Sequence, residues 1–548
     1  MNTNRMPFLP LVFISLFSFN TYSQTKKAKD NWQNLDLQVD GVPGISTERA
    51  YNELLKGKHG VPVKVAVIDG GVDVEHEDLK EKIWLNSAEI SGDSIDNDSN
   101  GYIDDLHGWN FIGNSKGENV QYDNLEVVRL VRELHPKYVS VLPTTPLGED
   151  ERRKFLAYQK MTTDYMSKLQ IAQLTERVIN AFKQQVDSIV KDIGKENPTM
   201  DDFKRYEPKS KAARKTLSMI EKGIREESDY GKFYNDLTEG VKHYEAEVNY
   251  HLNIDYDPRK IVSDHYDDSK ERYYGNNDVK GPDALHGTHV AGIIAADRNN
   301  ERGIKGVADR AVIMALRVVP DGDERDKDVA NAIFYAVDNG AKIINMSFGK
   351  AYVKDKQIVD SAVNYAMKHD VLIIHAAGNE GQDNDSKPNY PNRNYVDSLG
   401  LNKGIAENWI EVGATGWKYD ETLVADFSNY GKRTVDVFAP GVAINSTVPG
   451  SKYKEEQGTS MAAPVVSGLA AIIRSYYPHL TASQVKKIIF DSVVKPTHRV
   501  KIIQDKSKRK VLLSDISVTG GIVNAFNALR LAEDFVEKHE QPEKLHNM

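Results

Sequence analysis

The chain has 548 residues, 40% apolar and 28% charged, a balance that describes a globular protein with room for two units and a sizeable core. A net charge of −9, with no basic run interleaved with aromatics, argues against a nucleic-acid binder. The absence of cysteine excludes disulfides, thiol chemistry and a lipid-modified cysteine, so stability has to come from core size or bound ions.

Residues 1–23 join Arg5 to an apolar stretch from Phe8 to Phe19 and a small or polar ending at Thr21-Tyr22-Ser23, the pattern of a cleaved secretory signal peptide. No later stretch reaches the about eighteen apolar residues that a membrane-spanning helix needs. The mature protein is therefore expected to be exported, periplasmic or extracellular, without a transmembrane segment.

From about residue 60, short β-branched runs alternate with helical patterns. Val63 to Asp69, Val312 to Val319, Ile343 to Ser347, Val371 to Ala376, Ile410 to Val412 and Val435 to Phe438 read as strands apolar on both faces. Helical patterns fall between or after them at Asp328 to Asp338, Ile358 to His369, Ser460 to Tyr476 and Ser483 to Ser492. The expected fold is α/β, a doubly wound, mostly parallel sheet covered by helices, with ligands at the carboxyl ends of the strands.

One region breaks this alternation. Residues 119–254 carry no strand pattern but long charged helices, with an apolar stripe at Leu174, Val178, Phe182, Val186, Ile189 and Ile193. Pro198 and Pro208 punctuate it into separate helices. The chain thus divides into residues 24–118, a helical insertion at 119–254, the remainder of the α/β domain at 255–530 and a charged tail at 531–548.

Four blocks carry the chemistry. The first strand ends Val67-Ile68-Asp69-Gly70-Gly71, with an acid at its carboxyl end; Leu285-His286-Gly287-Thr288-His289 opens a helix; Ala376-Ala377-Gly378-Asn379-Glu380 follows a strand; and Gln457-Gly458-Thr459-Ser460-Met461-Ala462 turns into an apolar helix. A serine in that last position is most often only a helix cap, so its company decides the reading. The paired histidines lack the spacing and the intervening glutamate of a zinc peptidase helix.

Together, and in the order acid, histidine, serine, these blocks resemble the subtilisin-like serine peptidases over about residues 30–115 and 255–530. The resemblance implies that Asp69 orients His286, that His286 takes the proton of Ser460, and that Ser460 attacks a peptide carbonyl whose oxyanion binds the Asn379 amide and the Ser460 backbone N–H. It further implies that Ser347, Phe348 and Gly349 pair with an extended polypeptide substrate, that Ala376, Ala377 and Gly378 line the wall of the specificity pocket, and that His289 is structural. Asn389, before Tyr390-Pro391, falls near the pocket's base on the same resemblance. Asp69 and His286 stand 217 positions apart, because the helical insertion lies between them. The insertion is expected to pack over or beside the cleft and to limit which polypeptides reach Ser460. A peptide-binding or scaffolding protein without turnover, and an esterase, are the competing functions.

A metal reading stands beside the catalytic one. Asp96, Asp98, Asn100 and Asp104 occupy positions one, three, five and nine of a calcium loop with Gly101 at position six, although His107 stands where the bidentate glutamate belongs. An acidic exposed turn is the other reading of that stretch. By resemblance alone, Asp78 would be a ligand of a separate calcium site with Asn299 or Asn300. Structural calcium is the one cofactor expected, and no organic cofactor is called for.

Overall fold

The computed structural model describes residues 27–227, 229–397, 400–504 and 507–546. The expected signal peptide lies outside them. The chain falls into two compact units, one formed by Val127–Tyr256 and the other by Ala28–Glu126 with Asp257–Met548.

The second unit is built on a sheet of seven parallel strands: β1 Val63–Asp69, β2 Gly108–Asn110, β3 Ala311–Arg317, β4 Ile343–Met346, β5 Leu372–Ala376, β6 Trp409–Thr415 and β7 Val437–Pro440. Their order across the sheet is β2-β3-β1-β4-β5-β6-β7. This is the expected doubly wound α/β fold. Alternate residues of β1 serve two cores. Val65 and Val67 pack with the helices Leu285–Ala295 and Thr459–Tyr476, whereas Ala66 and Ile68 pack with the layer of Asp326–Asp338 and Lys356–Lys368. Burial on both faces is why the strands read as unbroken apolar runs rather than alternating ones.

The strand order reverses at β1, which leads to β3 on one side and stands beside β4 on the other. A crevice at the carboxyl ends of strands opens at such a point. The sequence reading missed β2, three residues on the sheet's edge, because Gly108-Trp109-Asn110 carries no strand pattern. At the other end of the chain, the helix Ala525–His546 runs through most of the stretch read as a tail, and Leu529 and Ala532 are buried in the core.

Val127–Tyr256 is helical throughout its secondary structure, with its longest helix at Glu149–Ile193. Its own core joins Phe182, Val186 and Ile189 to Phe203, Ile220, Ile224, Phe233 and Leu237. Leu174, expected in the apolar stripe, is instead 38% exposed, and Ala172 and Thr175 are the buried residues at that level. Gly194, in the left-handed region at φ 74°, ends the long helix, and Thr199 caps the next one in a box with Asp202.

Candidate active site

Asp69 is the last residue of β1 and is buried. Its carboxylate faces His286 Nδ1 at 2.8 and 3.0 Å and also accepts the Gly70 N–H at 2.7 Å. A carboxylate only accepts, so Nδ1 carries the hydrogen and Nε2 keeps its lone pair free to act as a base. Gly287 makes the approach feasible: a Cβ there would sit 2.2 Å from Gly71 O. The His286 side chain remains 43% exposed. Desolvation works against its imidazolium, but the charge and hydrogen bond of Asp69, with help from Glu456 and Asp283, outweigh it and raise the histidine above its ordinary pKa.

Ser460 is the second residue of the helix Thr459–Tyr476, where backbone N–H groups have no intrahelical partner and point out of the helix end. Its hydroxyl donates to Ser347 O at 3.0 Å, and the Ser347 hydroxyl donates back to Ser460 O at 2.9 Å. Among the described residues no hydrogen bond joins Ser460 Oγ to His286. Beneath this reciprocal pair, Ser467 Oγ donates to Asn345 Oδ1 at 2.8 Å and Asn345 Nδ2 to Ser347 Oγ at 3.0 Å. A buried polar chain thus runs from the Ser460 helix through β4 to the start of the next loop.

Asn379 is exposed at the turn after β5. Its Oδ1 accepts the Thr459 N–H at 2.8 Å and the Thr459 hydroxyl at 3.0 Å, which fixes the amide so that Nδ2 is its outward donor. Thr459 Oγ1 also accepts the Gly378 N–H at 3.1 Å. The sequence reading passed over Thr459, although it lies inside the serine block and its hydroxyl orients the amide.

The structure brings the two expected substrate-facing strips close together. Ser347 is buried, Phe348 half-buried with its ring perpendicular to that of His375, and Gly349 exposed. Ala376 and Ala377 are buried at the end of β5, and Gly378 is half-buried. Asn389 lies between the strips: its Nδ2 is 3.4 Å from both Ala376 O and Ala377 O, and a Cβ on Gly349 would meet that amide at 2.5 Å. His289, three residues after His286 on the same helix, is held elsewhere. Its Nε2 bonds Ile444 O and Lys454 O, and burial pushes its pKa down to about 4.

The candidate metal residues do not form one set. Asp96 and Asp98 place carboxylate oxygens within 4.8 Å of one another and of Glu89, a residue the sequence reading missed because it precedes the loop. Asn100 is adjacent, its N–H on Asp96 Oδ1 at 3.0 Å and its Nδ2 on Asp98 Oδ2 at 3.2 Å. Asp104 does not join them; its carboxylate accepts the N–H groups of Gly92 and Ser94 at 2.9 and 3.1 Å. Burial, with a smaller contribution from Asp98, raises neighbouring Asp105 to about 6. Carboxylate oxygens are the kind of donor calcium takes, although those of Glu89 also accept the N–H groups of Asn97, Asp98 and Asp104 at 2.9, 3.1 and 3.0 Å. Asp78 is separate again, its oxygens taken by Asn300 Nδ2 at 2.6 Å and by the Ile304 N–H and Tyr453 hydroxyl at 3.3 Å.

Comparison with known proteins adds a family model described as the subtilase family, which matches residues 60–514. Among curated relatives, the thermophilic serine proteinase of Bacillus sp. (strain AK1) is 44% identical over 191 residues, 35% of this chain and 42% of the relative. Thermitase of Thermoactinomyces vulgaris is 41% identical over 191 residues, 35% of this chain and 61% of its own. Subtilisin BL of Lederbergia lenta is 38% identical over 202 residues, 37% of this chain and 67% of the relative. The chain thus spans 42% and 61% of the lengths of the first two.

Proposed function

The chain belongs to the subtilase family, and from that membership we propose that it is a serine endopeptidase acting through Asp69, His286 and Ser460. The observation that carries the reading is the Asp69–His286 pair, a buried acid at the end of β1 holding a partly exposed ring whose Nε2 is free to act as a base. Ser460 Oγ turns from Ser347 O toward His286, gives up its proton to Nε2 and attacks the peptide carbonyl. Asp69 stabilises the imidazolium that forms. Asn379 Nδ2 and the Ser460 N–H receive the oxyanion. His286 then protonates the leaving amine, and water, deprotonated by the same ring, releases the acid.

The polypeptide substrate pairs in extended form with Ser347–Gly349, and its side chain before the cleaved bond faces Ala376–Gly378. The protein acts after export through a signal peptide at residues 1–23; no described helix is long and apolar enough to cross a membrane. Glu89, Asp96 and Asp98 would hold calcium, whose positive charge would balance this acidic loop and stabilise the native chain.

A peptide-binding protein without turnover is the second reading, favoured by the Ser460 hydroxyl facing Ser347 O instead of His286. Labelling with a serine-directed phosphonate, alongside a peptide and an ester substrate, separates them. Covalent labelling of Ser460 with peptide turnover supports the peptidase; binding without labelling supports the scaffold.

A further inference from the structure

Lys350 directly follows the strip Ser347–Gly349, and its side chain is only 1% exposed. Its ammonium is met by Glu126 Oε2 at 2.9 Å, Glu324 O at 2.8 Å and Asp326 Oδ1 at 2.8 Å, so all three donors have a partner. Glu126 is 1% and Asp326 7% exposed. A buried ammonium held by two buried carboxylates is costly to desolvate, and it persists only with close geometry of this kind.

Each partner belongs to a different segment. Glu126 opens the helix Glu126–Tyr138 and immediately precedes the helical unit; its N–H donates to Asp323 Oδ2 at 2.7 Å. Asp326 begins the helix after β3, and its second oxygen holds the N–H groups of Lys354 and Asp355 at 2.9 and 2.8 Å. The Lys350 backbone makes a further junction: its N–H and C=O exchange bonds of 2.8 and 2.9 Å with Tyr390. Tyr390 follows Asn389, whose amide packs on Gly349 and reaches Ala376 and Ala377.

Resting on the peptidase reading, we infer that Lys350 is a positioning residue for the substrate slot, fixing the register of Ser347–Gly349 against Asn389 and anchoring that register to Glu126, the residue from which the helical unit departs. Asp69 and His286 stand on other elements, and Ser347 is separately tied to Ser460 by two hydrogen bonds, so the Gly349 end of the slot responds to Lys350 more than the proton transfers do. Extended substrates that fill the slot are the ones affected.

The test compares Lys350→Met, Lys350→Arg and the triple variant Lys350→Met/Glu126→Gln/Asp326→Asn on a hexapeptide substrate. Lys350→Met is expected to raise KM by about tenfold, the size of one lost buried network contact, while kcat changes by less than about threefold. Lys350→Arg, which keeps the charge and the donors, recovers at least part of the affinity. The triple variant removes the ammonium together with the two carboxylates that hold it, so it carries the test even if the single variant fails to fold. Recovered thermal stability with KM still raised supports positioning; KM returning to wild type along with stability shows that Lys350 only neutralises carboxylates and overturns the inference. Dissociation constants for the same peptide, measured on a Ser460→Ala background, need no turnover. Unchanged affinity there also overturns it, whereas failure of the peptidase reading shows separately, as wild-type protein that a phosphonate does not label.

Discussion

In the α/β unit, apolar strands end in polar side chains; in the helical unit, apolar stripes are closed off by caps and charged outer faces. β1 passes from Val65, Val67 and Ile68, all buried, directly to Asp69. The helix Glu149–Ile193 instead buries Phe182, Val186 and Ile189 and ends at Gly194, with no reactive side chain delivered at its end. The difference is one of precision. A strand clamped by neighbours on both sides and covered on both faces fixes the position of the residue that follows it, and a helix packed on one stripe leaves its outer face free to vary. Catalytic chemistry is therefore expected to be concentrated in the α/β unit.

Ser460→Ala is expected to lower kcat for peptide hydrolysis by about 10⁶-fold, because triad members act as one unit. Asn379→Ala removes one oxyanion donor and should cost about 10²–10³-fold. Single-turnover kinetics on one peptide checks both. Near-normal turnover by the Ser460 variant would break the assignment of chemistry to this unit.

Asp69→Asn is expected to lower kcat by about 10⁴-fold, since the amide favours the wrong imidazole tautomer. It also removes the charge that raises His286. His286 acts as a base only when neutral, so wild-type kcat/KM falls as the pH drops through the raised pKa, and the variant's acid limb moves to lower pH. In folding, the sign is opposite. A raised native pKa stabilises the protein below the unfolded histidine value, and that contribution is lost as the pH rises through the native one. An acid limb that does not move in the variant would show that another group controls the profile.

Much of this comparison is legible in the sequence, for a physical reason. Strands buried on both faces are mostly apolar, so β1, β3, β4, β5, β6 and β7 stand out, and the acid, histidine, asparagine and serine blocks lie beside strand ends or helix starts. What escapes is whatever depends on through-space partners. Glu89 joins Asp96 and Asp98 from outside their loop, Thr459 orients Asn379 across 80 positions, and Lys350 meets Glu126 from 224 positions away. Leu174 has the spacing of a core residue and faces solvent, because periodicity gives the angle of a stripe and not where the partner helices stop covering it.

Calcium offers a smaller and separable effect. At a hundred times its dissociation constant, an ion bound only by the native state adds about 2.7 kcal/mol. Glu89, Asp96 and Asp98 all belong to the α/β unit. Calorimetry with calcium and with chelator should therefore shift the melting of that unit, and Glu89→Gln should reduce the shift. Coincident traces, with no calcium in the purified protein, would remove the ion from the account.

The smallest effect is expected from excising the helical unit, provided the cut respects the charge clusters at its base. Arg325 Nε lies 2.7 Å from Asp123, and its Nη2 lies 3.5 Å from Asp257. The chain therefore leaves toward the insertion and returns from it beside one guanidinium, a gap that a short flexible linker can bridge. Removing Val127–Tyr256 keeps Asp123, Glu126 and Asp257, and with them the partners of Arg325 and Lys350. Removing residues 119–254, the span expected from sequence, deletes Asp123 and Glu126. It takes one buried carboxylate partner from Arg325 and one from Lys350, a change of the kind that costs about 3–5 kcal/mol for each broken pair. The first deletion is expected to fold and to cleave a short peptide within about threefold of wild type, as fits a unit with its own core. The second should melt well below it. If the helical unit also limits access to Ser460, the first deletion raises cleavage of a folded protein substrate more than that of the peptide. Equal rates on both substrates would leave the helical unit no part in selecting them, and loss of folding in the first deletion would show that the α/β unit depends on it.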